Sequence, residues 1–189
     1  MKRLADYKVH FAVAALALAS WGLLRLQHQR AAQLTASDNN IDYFSSGYYK
    51  KQMNEHGLPK NELTAVDMRH NKNDGVTYLT QSIMTLFSDN GAAPWVIQGD
   101  SAVLAADGDH LNLNGKALIS RAKSPRASAL TVNTSDLRVT LTANYAETDQ
   151  WAEIISPPNR TEGVGMQTTF ASPILLNLSA KVQGRYVFH

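Results

Sequence analysis

The 189-residue sequence contains no cysteine and carries few charges for its length. The absence of cysteine excludes a disulfide scaffold, a thiolate metal site, a cysteine nucleophile and a lipidated cysteine anchor. Charged residues make up 18% of the chain and the formal net charge is +2, so the composition does not indicate a basic face for nucleic acid. The length favours a single domain.

Motifs for catalysis or metal binding are also missing. The six histidines are isolated from one another, without the spacing of a zinc-ligand pair, and there is no phosphate-binding G-x-x-x-x-G-K loop. The acidic string Asp107–Gly115 suggests calcium, but Leu111 and Leu118 stand where an EF-hand loop needs an oxygen ligand and a glutamate. A hairpin turn explains this string. We therefore predict no catalytic residue, no metal and no cofactor, and a protein that is not an enzyme.

The longest apolar run lies near the N-terminus. Val9–Leu24, as a helix, rises roughly 24 Å, which is short of the ~30 Å hydrocarbon core of a bilayer. Leu4–Leu26 is long enough if Lys8 and Arg25 extend their charges to the headgroups. The sequence therefore predicts a cytoplasmic start and membrane anchor at residues 1–26, a linker at 27–40 and an exported domain at 41–189.

A cleaved signal peptide is the alternative for the same segment. Ala17-Leu18-Ala19 is the small-x-small triplet that precedes many cleavage sites. The apolar run continues through Trp21 and Leu24, however, where a polar region is expected before cleavage. This continuation favours a retained anchor, and both alternatives export the rest of the chain.

Beyond residue 40 the hydrophobic pattern has a period of two, which is typical of β-strands. Separate alternating runs occur at Leu111–Ile119, Leu130–Val132 and Leu137–Leu141. Dipeptides that accept a positive φ predict hairpin turns at Asp74-Gly75, Asn90-Gly91 and Asp107-Gly108. Ser124-Pro125 and Pro157-Pro158 predict longer loops. The domain is therefore expected to be all-β, as a sandwich, barrel or jelly roll.

The side chains expected to face inward include seven large and adaptable ones: Met68, Met84, Phe87, Trp95, Trp151, Met166 and Phe170. Such side chains either fill a closed core or line a groove for lipid tails. Alternation alone does not separate these two possibilities, because a side chain points inward in both.

Nine short motifs follow one another in a characteristic order along the exported domain. They are Asp42-Tyr43-Phe44, Asn54-Glu55-His56-Gly57, Leu63-Thr64-Ala65, Met68-Arg69-His70-Asn71, Asp89–Ile97, Asp107–Ala117, Thr148-Asp149, Thr161–Met166 and Lys181–Tyr186. In this order and spacing, the sequence resembles the LptC family, the single-pass lipopolysaccharide export proteins of Gram-negative bacteria. The resemblance implies a twisted β-jellyroll of two antiparallel sheets with an open hydrophobic interior.

The resemblance also implies a function and partners. A member of this family accepts lipopolysaccharide from the inner-membrane ABC transporter and passes it to the periplasmic protein LptA, without catalysis. The anchor helix and first strands, around Tyr43–Tyr49, are expected to dock to the transporter, and the last strands, Ile174–Tyr186, to LptA. The protein is then expected in the inner membrane, with its C-terminal domain in the periplasm.

The expected site residues form two sets. Lipid-facing residues are expected at Tyr48, Met68, Leu79, Met84, Leu86, Trp95, Ile97, Leu111, Leu113, Val139 and Met166. Partner-docking residues are expected at Tyr43, Gly57, Gly163, Leu176, Leu178, Val182 and Tyr186, where Gly57 and Gly163 match turn glycines of the family.

Two other functions fit the same sequence. One is a signal-cleaved, soluble periplasmic lipid shuttle resembling LptA. The other is a carbohydrate-active β-sandwich enzyme, which requires a cleft with two carboxylates roughly 5–10 Å apart.

Overall fold

The computed structural model describes residues 41–88, 91–171 and 173–187. The predicted anchor at 1–26 and linker at 27–40 lie outside these ranges. No helix among the described residues has the length and hydropathy to cross a membrane. The described residues form one antiparallel sheet of nine strands, in sequence order: β1 (Ile41–Met53), β2 (Pro59–Asn71), β3 (Thr77–Leu86), β4 (Trp95–Leu104), β5 (His110–Arg121), β6 (Leu130–Thr140), β7 (Tyr145–Ser156), β8 (Asn159–Thr169) and β9 (Leu176–Arg185).

The sheet bends along a line that crosses the middle of its strands. The pairing shifts register near mid-strand in each of the five successive pairs from β4–β5 to β8–β9. Gly115, Asp136 and Gly165 take positive φ values of 76°, 48° and 73° at these places. A β-bulge bends its strand and increases the local twist. Bulges on adjacent strands therefore let a single sheet fold over itself.

The contact between Trp95 and Phe170 demonstrates this folding. Trp95 begins β4, whereas Phe170 follows the last residue of β8 at the opposite end of the sheet. In a flat sheet, four strand spacings of about 4.8 Å and a strand length of about 30 Å would separate them. Their ring centroids are 5.4 Å apart. The two layers of the fold are therefore two parts of one continuous sheet, and not the two separately paired sheets expected from the resemblance.

The bulges also correct two details of the predicted strands. The apolar runs Leu130–Val132 and Leu137–Leu141, predicted as separate, lie on β6 or directly at its end, because the bulge switches the inward face from even to odd positions. Pro157-Pro158 forms a two-residue turn between the paired residues Ser156 and Asn159, and not a longer loop.

Small residues occupy the inner side of the bend. Ser82, Gly99, Ala117 and Thr134 are successive register partners on β3 to β6. A Cβ atom on Gly99 would lie 2.7 Å from the Cδ2 atom of the buried Leu113. A side chain at Gly99 would therefore displace the Leu113 side chain of the neighbouring strand β5.

Two hairpin turns at one end of the sheet are joined by hydrogen bonds. The carboxylate of Asp109, in the β4–β5 turn, accepts hydrogen bonds of 2.7 Å from both the backbone N–H and the hydroxyl of Thr142, in the β6–β7 turn. Within the first turn, the Asp107 carboxylate accepts from the backbone N–H of Asp109 at 2.8 Å and lies 2.7 Å from Nδ1 of His110. These bonds lower the pKa of Asp107 to about 2. In this structure the acidic string Asp107–Gly115 forms a turn and the start of β5.

Candidate functional site

The residues expected to face lipid lie on the inner surface of the folded sheet. Tyr48 is half-buried on β1 and packs against the hydrophobic core cluster. The other ten are buried, with at most 7% of their surface exposed: Met68, Leu79, Met84, Leu86, Trp95, Ile97, Leu111, Leu113, Val139 and Met166. With Tyr48 these residues lie on seven strands, β1 to β6 and β8, and the buried Ala146, Ala152 and Ile154 continue the inner surface on β7. The hydrophobic pattern therefore located the inner surface correctly, while lipid contact at these residues stays a prediction.

The inward side chains of the described strands pack into one interior. Its side chains form one hydrophobic cluster, and several large members absent from the predicted set are as deeply buried as those in it: Leu63, Ile119, Val132 and Leu137. Leu137 alternates with Val139 in the sequence, so the signal for it was present. Buried polar side chains are few and small, at Asn61, Ser82, Thr134, Thr148 and Thr168. Chemically, this surface can bind apolar groups.

A cation covers the interior next to the aromatic pair. The guanidinium carbon of Arg121 lies 4.4 Å from the centroid of the Trp95 ring, a cation–π geometry. Its Nη2 donates a 3.3 Å hydrogen bond to the carbonyl of Ser128, while its buried Nε has no hydrogen-bond partner among the described residues. Burial lowers the pKa of Arg121. The guanidinium of Arg121, with one N–H not hydrogen-bonded to a described residue, thus lies next to the apolar interior.

The first edge of the sheet exposes aromatic residues. Among the described residues β1 pairs only with β2, so its other side offers backbone groups that no described strand pairs with. Tyr43, Phe44 and Tyr49 are exposed on β1, and Tyr43 stacks on His70 with ring centroids 4.5 Å apart. Tyr48 has a raised pKa, because it is partly buried and because Tyr43 is near it.

The second edge strand, β9, contacts the core through its first residues and is exposed to solvent along the rest of its length. Leu176 and Leu178 are partly buried and pack against the core, whereas Val182 is exposed. Tyr186 follows β9, and its hydroxyl lies 3.0 Å from the hydroxyl of Thr161 on β8. Apolar side chains therefore continue from the interior to both free edges.

The two glycines expected to mark turns differ in position. Gly57 lies in the β1–β2 turn with φ of +72°, and a Cβ there would meet no atom within 4 Å. Gly163 is buried within β8, at the bulge facing β9, so the expected turn is wrong for this residue. A Cβ on Gly163 would lie 3.0 Å from the carbonyl oxygen of Ala180 and 3.1 Å from Cδ1 of Leu178. A side chain at Gly163 would therefore press on the edge strand.

No group of three or more His, Asp or Glu side chains that could hold a metal ion occurs within the described ranges. Several charged side chains there form ion pairs at the surface. Arg138, for example, lies between Glu147 and Asp149, at 3.1 and 3.0 Å, and both carboxylates raise its pKa. Exposed pairs of this kind contribute little to stability.

Comparisons with known proteins identify a family and a similar fold. The family described as LptC, "Lipopolysaccharide-assembly, LptC-related", matches residues 12–187. Among solved structures, the fold is similar to that of LptH from Pseudomonas aeruginosa, described as the LptA homologous periplasmic component of the conserved lipopolysaccharide transport device. The TM-score is 0.54 at 13% sequence identity, and the match covers 67% of this chain and 94% of that chain. No curated protein matches in sequence.

Proposed function

The chain belongs to the LptC family of lipopolysaccharide-assembly proteins, and from this premise we propose that it carries lipopolysaccharide through the interior of its folded sheet. It accepts the lipid from the inner-membrane ABC transporter and passes it to LptA, and it performs no covalent chemistry. The anchor at residues 1–26 holds it in the inner membrane with the sheet in the periplasm.

One observation carries the proposal: the apolar inner surface is continuous and reaches both free edges of the sheet. Each methylene of an acyl chain left in water costs about 0.8 kcal/mol, so a lipid crossing the periplasm needs such a surface along its path. The interior supplies it from β2 to β8, and the partly buried Tyr48, Leu176 and Leu178 extend it to β1 and β9.

The lipid enters by parting the edges, because the inward side chains of the inner strands are buried and those of the two edge strands are more exposed. β1 and β9 are exposed along most of their length, so displacing them breaks fewer contacts than displacing an inner strand. Acyl chains then replace apolar contacts between protein side chains, an exchange with little net change in buried apolar surface. This balance suits a carrier, which must release its cargo as well as bind it. Arg121, beside the interior, matches the anionic headgroup of such a lipid.

The same edges suit the two partners. An unpaired strand edge can be extended by a strand of another protein through backbone hydrogen bonds. We propose that β1, with Tyr43 and the turn containing Gly57, docks to the transporter. β9, with Leu176, Leu178 and Val182, and the following Tyr186 dock to LptA. The fold shared with LptH supports this arrangement, because sheets of similar curvature can continue one into the other.

Site-specific photocrosslinking in cells tests the lipid path. Leu79 and Tyr78 are neighbours on β3 that face opposite sides of the sheet: Leu79 is buried inward, and Tyr78 is exposed outward. A photoreactive residue at 79 should form a lipopolysaccharide adduct when the transporter is active, and one at 78 should not. Equal adducts at both positions, or none at 79 in cells with an active exporter, would contradict the proposed path.

The anchor is tested separately from the path. The intact mass of the protein isolated from membranes should include residues 1–26. A mature N-terminus at Ser20 would instead support a soluble shuttle. A second structure with two carboxylates facing each other across a polar cleft would favour the carbohydrate-active enzyme.

A further inference from the structure

A cavity lies on the outer face of the sheet, away from the proposed lipid path. Ile83, Gln98, Leu118 and Asn133 are register partners on β3 to β6, and each lies between inward-facing neighbours along its strand. These residues, together with Trp151 on β7 and the adjacent small residues Ser82, Gly99, Ala117 and Thr134, line an open concavity of about 600 Å³ along the bend. We name this concavity the outer crease. Its volume lies within the range of small-ligand sites.

The floor of the outer crease is apolar and carries an aromatic platform. Ile83 and Leu118 contribute aliphatic surface. Trp151 is 45% exposed to solvent, so the expectation that it faces inward is wrong: it lies next to the inward-facing Ala152 and points to the other side of the sheet. The Trp151 carbonyl accepts a 2.8 Å hydrogen bond from the buried hydroxyl of Thr134, which fixes the backbone that carries the indole. An exposed tryptophan held by a rigid sheet is preorganised for contact with a flat apolar surface.

The wall of the outer crease is polar and nearly neutral in charge. Gln81, Gln98, Asp100 and Lys116 line it, and the side chains of these four residues make no hydrogen bond or ion pair with other described residues. Asn133 donates through Nδ2 to Glu153 at 2.9 Å, which orients its amide. Amides both donate and accept, and the single carboxylate and single ammonium balance in charge.

These features select one class of ligand. A strand of another protein is disfavoured, because the crease lies on β3 to β7, whose edges are all paired. An acyl chain gains most from an enclosed apolar channel, which an open, polar-walled cavity does not provide. A saccharide has both required surfaces: a C–H face that stacks on an indole, and hydroxyls that donate and accept.

We propose that the outer crease is a saccharide-binding site, with Trp151 as the stacking platform and Gln81, Gln98, Asp100, Lys116 and Asn133 as partners for hydroxyl groups. Its lining contains one carboxylate, so binding occurs without the paired acids of glycoside hydrolysis. The site does not rest on the proposed lipid path, because it faces the opposite side of the sheet. In the periplasm such a ligand can be the saccharide part of lipopolysaccharide or the glycan of the cell wall.

Calorimetric titration of the purified full chain tests the site. A detergent without a sugar headgroup is required, since a glycoside detergent would compete. The two probes are the lipid-free core oligosaccharide of lipopolysaccharide and soluble muramidase fragments of peptidoglycan. We expect saturable binding of one probe with a Kd of about 1 mM. Whichever probe binds identifies the source.

Matched variants connect binding to the outer crease. Trp151→Ala should weaken binding about tenfold or more, and Trp151→Phe, which keeps an aromatic face, should weaken it less. Tyr78→Ala is the control, because Tyr78 is 48% exposed on the same sheet but does not line the crease. Its affinity should stay within about twofold of the unmodified protein. No binding of either probe at about 10 mM, or equal loss in the Tyr78 and Trp151 variants, would overturn the proposal, as would displacement of the probe by a short fatty acid.

Discussion

The contact between Gly163 and the edge strand yields the sharpest test of the fold. Gly163 has no positive φ, so an added methyl group acts only through the space it occupies. That space contains the Ala180 carbonyl oxygen at 3.0 Å and Cβ and Cδ1 of Leu178 at 3.3 and 3.1 Å. The carbonyl belongs to the backbone of β9, so it moves only if the strand moves. Gly163→Ala should therefore displace β9 by a few tenths of an ångström.

The expected cost follows from two opposing effects. Overpacking a close contact destabilises a protein by about 1–3 kcal/mol. Replacing glycine by alanine restricts the unfolded chain and returns about 0.4–1 kcal/mol. With the middle of each range the net loss is about 1.3 kcal/mol, which corresponds to a decrease in Tm of about 3–5 °C for a domain of this size. Gly163→Arg should have a larger effect and should also weaken copurification with a partner that docks on β9.

Hydrogen exchange of the full chain distinguishes this local effect from a general loss of stability. Exchange should increase in β9 of Gly163→Ala more than in β4 or β5. Gly57→Ala is the matched control: its positive φ costs roughly 1–2 kcal/mol, yet no atom lies within 4 Å of the added methyl. That variant should lose stability without selective exchange in β9. Unchanged Tm and unchanged β9 exchange in Gly163→Ala would refute the predicted packing.

Two further predictions concern the turn network and the interior. An NMR titration should place the pKa of His110 above its ordinary value, because the imidazole is hydrogen-bonded to the Asp107 carboxylate, and Asp107→Asn should remove this increase. Since the folded pKa is raised, the stabilising contribution of His110 should be complete below about pH 6.5 and should disappear as the pH rises through the folded pKa. Identical His110 titrations in the unmodified protein and in Asp107→Asn would contradict the contact between His110 and Asp107. Leu137 is 0% exposed, so Leu137→Ala should lower the free energy of unfolding by about 2–5 kcal/mol in urea denaturation, and a loss below about 1 kcal/mol would indicate a loosely packed interior.

The candidate interior was predictable because inward direction is a local property. Leu111, Leu113 and Ala117 share one parity in the sequence, and all three are buried. The turn at Asp107-Gly108 followed in the same way from the backbone preference of glycine, whose φ there is +69°. Whether the inward side chains contact one another or a lipid depends on the distance between the two layers of the sheet. Alternation within one strand does not determine that distance.

The sequence by itself determined an all-β domain, the face of each strand that turns inward, and the short motifs that the family shares. Only the tertiary structure decided how that sheet closes. The inward face of β6 changes from even to odd positions at Asp136, so β6 looked like two strands until its pairing with β7 was known. The approach of Trp95 to Phe170 and the outer crease beside Trp151 arise from bulges aligned on neighbouring strands. Such alignment depends on the pairing register of strands whose residues are far apart in the chain, and the alternation within one strand does not determine that register.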